Sequence, residues 1–220
     1  MPTFSEKSFN FAYLFKNITT RWYFYVIALG FIALIFLSLF LLRKKPQRNA
    51  LSRTQKIAYT AILSALCFVA NAFTLPISNL FQVSFIGAMG FIAGYVLGAG
   101  LGFTCAFIGD FLCAIIFPLG PYSPIINVGT ALWGYIPGVI FTSVKGNDVI
   151  KTVLCFALGF VLNSFCINTV GLTLMYYTPF ETLLPLLPVK LATVVVNFVI
   201  SIGLCKVLKR VLPKDKFHLN

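Results

Sequence analysis

The sequence predicts an all-α integral membrane protein, and three observations carry that prediction. Of 220 residues, 59% are hydrophobic and only 10% are charged, whereas a soluble domain carries about a quarter charged residues. Mean hydropathy is +0.94, which leaves too little polar surface to coat a particle in water and excludes a disordered chain. The apolar residues also fall into runs of spanning length, since crossing about 30 Å of hydrocarbon takes roughly 20 residues of helix.

The first run, Trp22 to Leu42, follows an N-terminal arm (1–21) and is followed by Arg43, Lys44 and Lys45. It is longer than a signal-peptide core and no small-x-small cleavage site follows it, so it reads as a permanent anchor helix. A basic linker (43–56) containing Pro46 comes next. Six further apolar runs occupy 57–211: Ile57–Leu75, Phe81–Leu97, Ala99–Phe117, Ile125–Val144, Val149–Tyr177 and Leu187–Val207, ahead of a tail at 212–220. The breaks between them carry turn chemistry. Pro76, Ser78 and Asn79 close the first of the six, and Gly98–Ala99–Gly100 makes a tight turn. Pro118 to Pro124 forms a stiff loop, Lys145–Asp148 a polar turn, and Pro179 to Pro188 a longer connection.

The net charge of +12 lies in the breaks, which is how orientation is encoded in membranes and argues against a nucleic-acid partner. With the linker on the cytoplasmic side, thirteen Lys and Arg fall on that side and four (Lys7, Lys16, Arg21, Lys190) on the other. This positive-inside asymmetry places the N-terminus outside, the C-terminus inside and the Pro118–Pro124 loop outside.

Catalysis has little to work with. There is no phosphate-cradling GxxxxGK[ST], no carboxylate pair on one helix face and a single His, His218 in the tail. The six Cys lie inside apolar runs and form no CxxC pair, as expected of small buried hydrophobes rather than a metal site. The sequence therefore reads as no enzyme, without cofactor or metal.

Asp110 is the one acid inside an apolar run. A carboxylate at a membrane helix centre costs roughly 2.5–3.5 kcal/mol on insertion scales, so it either contacts a ligand or locks helices together by hydrogen bonding. Gly90, Gly94, Gly98 and Gly102, then Gly134 and Gly138, recur at four-residue spacing and suit close helix approach. Ala58, Ala61 and Ala65 form a looser small-residue stripe that packs within the bundle or offers a docking face. On the outer side, Phe117 to Pro124 sets Tyr122 at the tip of a rigid loop, leading into Asn127, Thr130 and Trp133. That combination fits a pocket for a flat, hydrogen-bonding ligand or a structural capping loop. Asn163, Ser164, Asn168 and Thr169 either line a cavity or bind helices together. Lys190 is positioned to pair with an anionic group or to snorkel.

From about Arg53 to Val211 the chain resembles the substrate-binding S component of energy-coupling-factor (ECF) vitamin transporters, most closely the folate-type members. The resemblance rests on Ala58-Tyr-Thr-Ala61-Ile-Leu-Ser-Ala65, Gly98-Ala-Gly-Leu-Gly102, Gly109-Asp110-Phe111, Phe117-Pro-Leu-Gly-Pro-Tyr-Ser-Pro124, Gly134-Tyr-Ile-Pro-Gly138, Leu162-Asn163 with Asn168-Thr169, and Pro188-Val-Lys190. It implies a six-helix bundle in a bacterial plasma membrane that captures a vitamin from outside, with folate the first expectation. It also implies docking through Ala58, Ala61 and Ala65 on an ECF transmembrane scaffold subunit served by two cytoplasmic ATPases. The anchor helix 22–42 has no counterpart in that pattern. Asp110, Tyr122, Asn127, Trp133, Asn168 and Lys190 are the expected ligand contacts. The reading from another class is a non-transporting membrane scaffold or assembly protein. An S component for a different small molecule is the other alternative.

Overall fold

The computed structural model describes Leu37 and residues 51–78, 81–117, 124–175 and 183–211. The expected arm, the tail, Tyr122, nearly all of the anchor and residues 43–50 of the linker lie outside the described residues.

Helix α1 (Arg53–Ala72) starts at a capping box. The Ser52 hydroxyl accepts from the Gln55 N–H (3.2 Å), and the Gln55 side chain accepts from the Ser52 N–H (3.1 Å). Two of the helix's unpaired N-terminal donors are satisfied in this way. Beyond α1, a short antiparallel hairpin, β1 (Leu75–Ser78) and β2 (Phe81–Val83), pairs Leu75 with Val83 and Pro76 with Gln82. The apolar run expected to be helical from Phe81 thus begins as a strand, and helix α2 (Ile86–Leu97) starts five residues later. The Ser84 hydroxyl accepts the Ile86 N–H (3.2 Å) at this junction.

A single residue separates α2 from α3 (Ala99–Ile116). Gly98 has φ +87°, a left-handed conformation open to glycine at no steric cost, and this allows the immediate reversal. Helix α4 (Pro124–Ser143) has proline at its first position, where a missing N–H costs nothing. Asn147 caps α5 (Asp148–Gly159), its side chain accepting from the Val149 N–H at 3.0 Å. The rod continues as a π-helical segment, Phe160–Ile167, into α6 (Asn168–Met175). A 3₁₀ turn at Leu184–Leu186 leads into α7 (Leu187–Val211).

Counting the α5–π–α6 rod as one, the described chain has the six expected core helices. Spans 99–116, 124–143, 148–167 and 187–210 are long and apolar enough to cross a membrane, and α2 is shorter. Large apolar side chains such as Ile115, Ile116, Val199 and Val207 are exposed, as they would be against lipid.

The glycine stripe is packing. Helices α2, α3 and α4 meet with Gly94, Gly102 and Gly134 backbone to backbone. A Cβ on any one would collide with the main chain of another, and one on Gly138 would collide with Ala99. An aromatic layer beside this crossing joins α2, α4, α5 and α7, with Phe91 5.3 Å from Phe156, and Phe156 5.4 Å from Trp133 and 5.7 Å from Phe198. At the end of the bundle near Gly98, Asp148 pairs with Lys209 of α7 and lies 3.7 Å from Lys151. Lys151 in turn sits 5.4 Å above the Phe141 ring.

Candidate functional site

The alternating helices carry the polar residues of the apolar runs to one end of the bundle: the C-terminal ends of α1 and α3, the N-terminal ends of α2, α4 and α7, and the π segment. On the orientation expected from the sequence this would be the outer end.

Asp110 lies two turns from the end of α3. Its carboxylate accepts from the Asn71 side chain of α1 (2.8 Å), with Thr130 of α4 as a second hydrogen-bonding neighbour. The Asn71 amide oxygen accepts from the Ser84 hydroxyl (2.8 Å). Beyond Ser84, buried Asn197 of α7 donates to the Ser84 carbonyl (3.0 Å) and the Thr193 carbonyl (2.9 Å) and accepts from the Ala88 N–H (2.9 Å). A continuous polar chain therefore runs from Asp110 across α1 and the start of α2 to α7. Buried amides and carboxylates in a low-dielectric interior need such closure. Asn127, 1% exposed, donates weakly to the Phe107 carbonyl (3.5 Å), one turn from Asp110. Its side-chain oxygen has no hydrogen-bond partner among the described residues.

The second group surrounds the π segment. With its amide oriented to satisfy both neighbours, Asn163 accepts from the Trp133 indole N–H (2.5 Å) and donates to the Gly129 carbonyl (3.1 Å). The Trp133 ring lies on Gly159, where a Cβ would be 2.8 Å from Cη2. The indole is thus held edge and face by the protein. Lys190, 5% exposed, donates from Nζ to the Ser164 carbonyl at 3.2 Å. Among the described residues no carboxylate pairs with it. The Asn168 side-chain oxygen, one turn beyond Ser164, is buried and without a hydrogen-bond partner there.

The residues singled out in the sequence accordingly fall into two neighbourhoods, Asp110 with Asn127 on the α3–α4 seam, and Trp133, Asn168 and Lys190 about the π segment. Sequence reasoning missed Asn71, Ser84 and Asn197. A polar side chain alone in an apolar run was the available signal. No group of three or more His, Cys, Asp or Glu among the described residues could hold a metal ion.

Ala58, Ala61 and Ala65 all point outward from α1. They lie among exposed Ile57, Ile62, Leu66, Val69 and Phe73, so this stripe is not spent on packing within the bundle.

The family model for the S component of ECF-type riboflavin transporters matches residues 51–210. Among solved structures, that of FolT bound with folic acid is similar, with TM-score 0.58 and 24% identity over 68% of this chain and 91% of that one. This likeness supports the all-α S-component fold. No curated protein matches the sequence.

Proposed function

The chain belongs to the ECF-type riboflavin transporter S component family, and we propose that it captures a ring-bearing vitamin, riboflavin first, at the outer end of its bundle for uptake by partner subunits. The family is one of vitamin-binding membrane transporter components and not of enzymes, and membership implies a scaffold, ATPase subunits and a small-molecule substrate. The observation that carries the finer reading is Lys190, a buried ammonium whose described partner is a backbone carbonyl. An ionisable group so placed in a membrane protein is a functional residue by default.

Beside Lys190, the Asn168 oxygen can accept, as can that of Asn127 on the other seam. A ligand edge carrying both carbonyl acceptors and an N–H donor suits this set, and the imide edge of a flavin has both. Folate, the expectation from sequence resemblance, has a comparable ring edge but also two carboxylates. Lys190 is the only basic residue on the outer side of the core, so riboflavin, which is neutral, is easier to accommodate. In this reading Asp110 and Trp133 hold the walls of the site, and the Ala58–Ala61–Ala65 face docks on the scaffold subunit.

Calorimetric titration of the detergent-purified full chain with riboflavin, folate and a panel of other vitamins tests the proposal. Tight binding of riboflavin alone supports it, and tight binding of folate instead replaces the substrate and keeps the class. If a demonstrably folded chain binds none of them, the non-transporting scaffold takes its place.

A further inference from the structure

The π segment does something specific to the hydrogen bonding around Lys190. In an α-helical register the Asn168 N–H would donate to the carbonyl four residues back, that of Ser164. Here it donates to Asn163, five residues back, and the Ser164 carbonyl accepts from Lys190 Nζ at 3.2 Å instead. One extra residue in the turn has thus exchanged a helix bond for a tertiary one.

An ammonium carries three donors, and a buried one is costly unless hydrogen-bonded. Among the described residues the Ser164 carbonyl is the partner of Lys190. From this we infer that the π segment is a positioning device: it supplies a backbone carbonyl where an anion would otherwise be needed, and so orients a buried ammonium with further N–H groups free for an electronegative atom of the ligand. This inference rests on the ligand site proposed above and assigns it a positioning residue, Ser164, acting through its main chain. A carboxylate in the same place would neutralise Lys190 and make a permanent ion pair. Among the described residues a carbonyl leaves the charge uncompensated, and the site therefore favours a ligand that brings carbonyl or hydroxyl oxygens to it. π turns of this kind arise from one surplus residue and gather at functional sites.

Deleting Phe165 tests the device. Its side chain is exposed, and removing one residue between Asn163 and Asn168 returns the Asn168 N–H to an α-helical bond with Asn163. The Ser164 carbonyl then takes the Thr169 N–H and is lost to Lys190. Riboflavin affinity is measured for the unaltered full chain, the Phe165 deletion, Lys190→Gln and the double variant. Losing a hydrogen bond to a charged group weakens binding by about tenfold to a hundredfold.

The deletion and Lys190→Gln are each expected to show such a loss, and the double variant no more than the larger of the two. A change that is merely structural gives losses that multiply in the double variant, and that result overturns the inference. The same four chains are compared by thermal unfolding without ligand, where non-additive shifts support the bond and additive shifts refute it. If no form binds riboflavin or the other vitamins, the proposed function fails while the unfolding cycle still decides this inference. Should the deletion not fold, solid-state NMR of the unaltered chain decides it instead. A contact between labelled Lys190 Nζ and the Ser164 carbonyl carbon supports the inference, and its absence overturns it.

Discussion

Replacing Gly134 with alanine puts a methyl group into a space that the backbone of α3 already occupies. The new Cβ collides with the Gly102 carbonyl and stands 3.0 Å from the Phe103 nitrogen, where ordinary contact begins at 3.4 Å. These are main-chain atoms of α3, so no side chain can rotate out of the way, and the helices must part by about 1 Å. Overpacking of this kind costs about 1–3 kcal/mol, and the upper end applies because the obstacle is backbone. For a chain of this size about 3 kcal/mol corresponds to roughly 6–12 °C in Tm. The control is Gly100→Ala in the first turn of α3, where a Cβ meets nothing within 4 Å. Alanine is also a better helix former than glycine, by about 1 kcal/mol. Thermal unfolding of both variants in the same detergent should show a large loss for Gly134→Ala and none for Gly100→Ala. Equal shifts would refute the claim that close backbone approach holds α2, α3 and α4 together.

Further expectations concern the two ends of the bundle and its outer face. Asp110→Ala strands the Asn71 amide donor and should cost about 1–3 kcal/mol. Asn71→Ala in the same background should then add little, and a fully additive pair in chemical unfolding would break the polar chain drawn here. Ala61→Trp, on the exposed face of α1, should leave vitamin affinity in detergent unchanged and abolish uptake by cells carrying the partner subunits. Normal uptake would move the docking face elsewhere. Asp148→Ala removes the carboxylate facing Lys209 and Lys151, whose side chains are 35% and 8% exposed. The Asp148–Lys209 pair is accessible to solvent and the buried Lys151 keeps its contact with the Phe141 ring, so the loss should be about 1 kcal/mol or less and should shrink in high salt. A salt-independent loss in thermal unfolding would contradict that account.

The helical framework was legible because apolar runs of spanning length are an unambiguous signal in a bilayer. The breaks at Gly98 and Asn147 were equally plain, since each carries the residue its geometry demands. What the runs concealed was interruption without a change of composition. Phe81–Val83 carries no glycine or proline to break the run, and only pairing with Leu75 and Pro76 makes it a strand. In the same way Val149–Tyr177 reads as one helix. The surplus residue that makes Phe160–Ile167 a π segment leaves no mark on hydropathy, because lipid-facing and buried positions are both apolar. Asp110 and Lys190 stood out by charge. Asn71, Ser84 and Asn197 did not, because their partners lie on other helices and no spacing within one run reveals them.

The bonds of Asn197 have a bearing on how the protein is made. Its side chain reaches back 109 positions to Ala88 and 113 to Ser84. A chain is synthesised from its N-terminus, at about 5–20 residues per second. For several seconds, therefore, α1 to α4 sit in the bilayer without the partner that the Ser84 carbonyl has in the finished protein. An unmet backbone group in hydrocarbon costs several kcal/mol, so a nascent chain halted before α7 retains a polar defect at the head of α2. Completion of the last helix removes it, so the whole chain and a truncated one differ chemically at the Ser84 carbonyl.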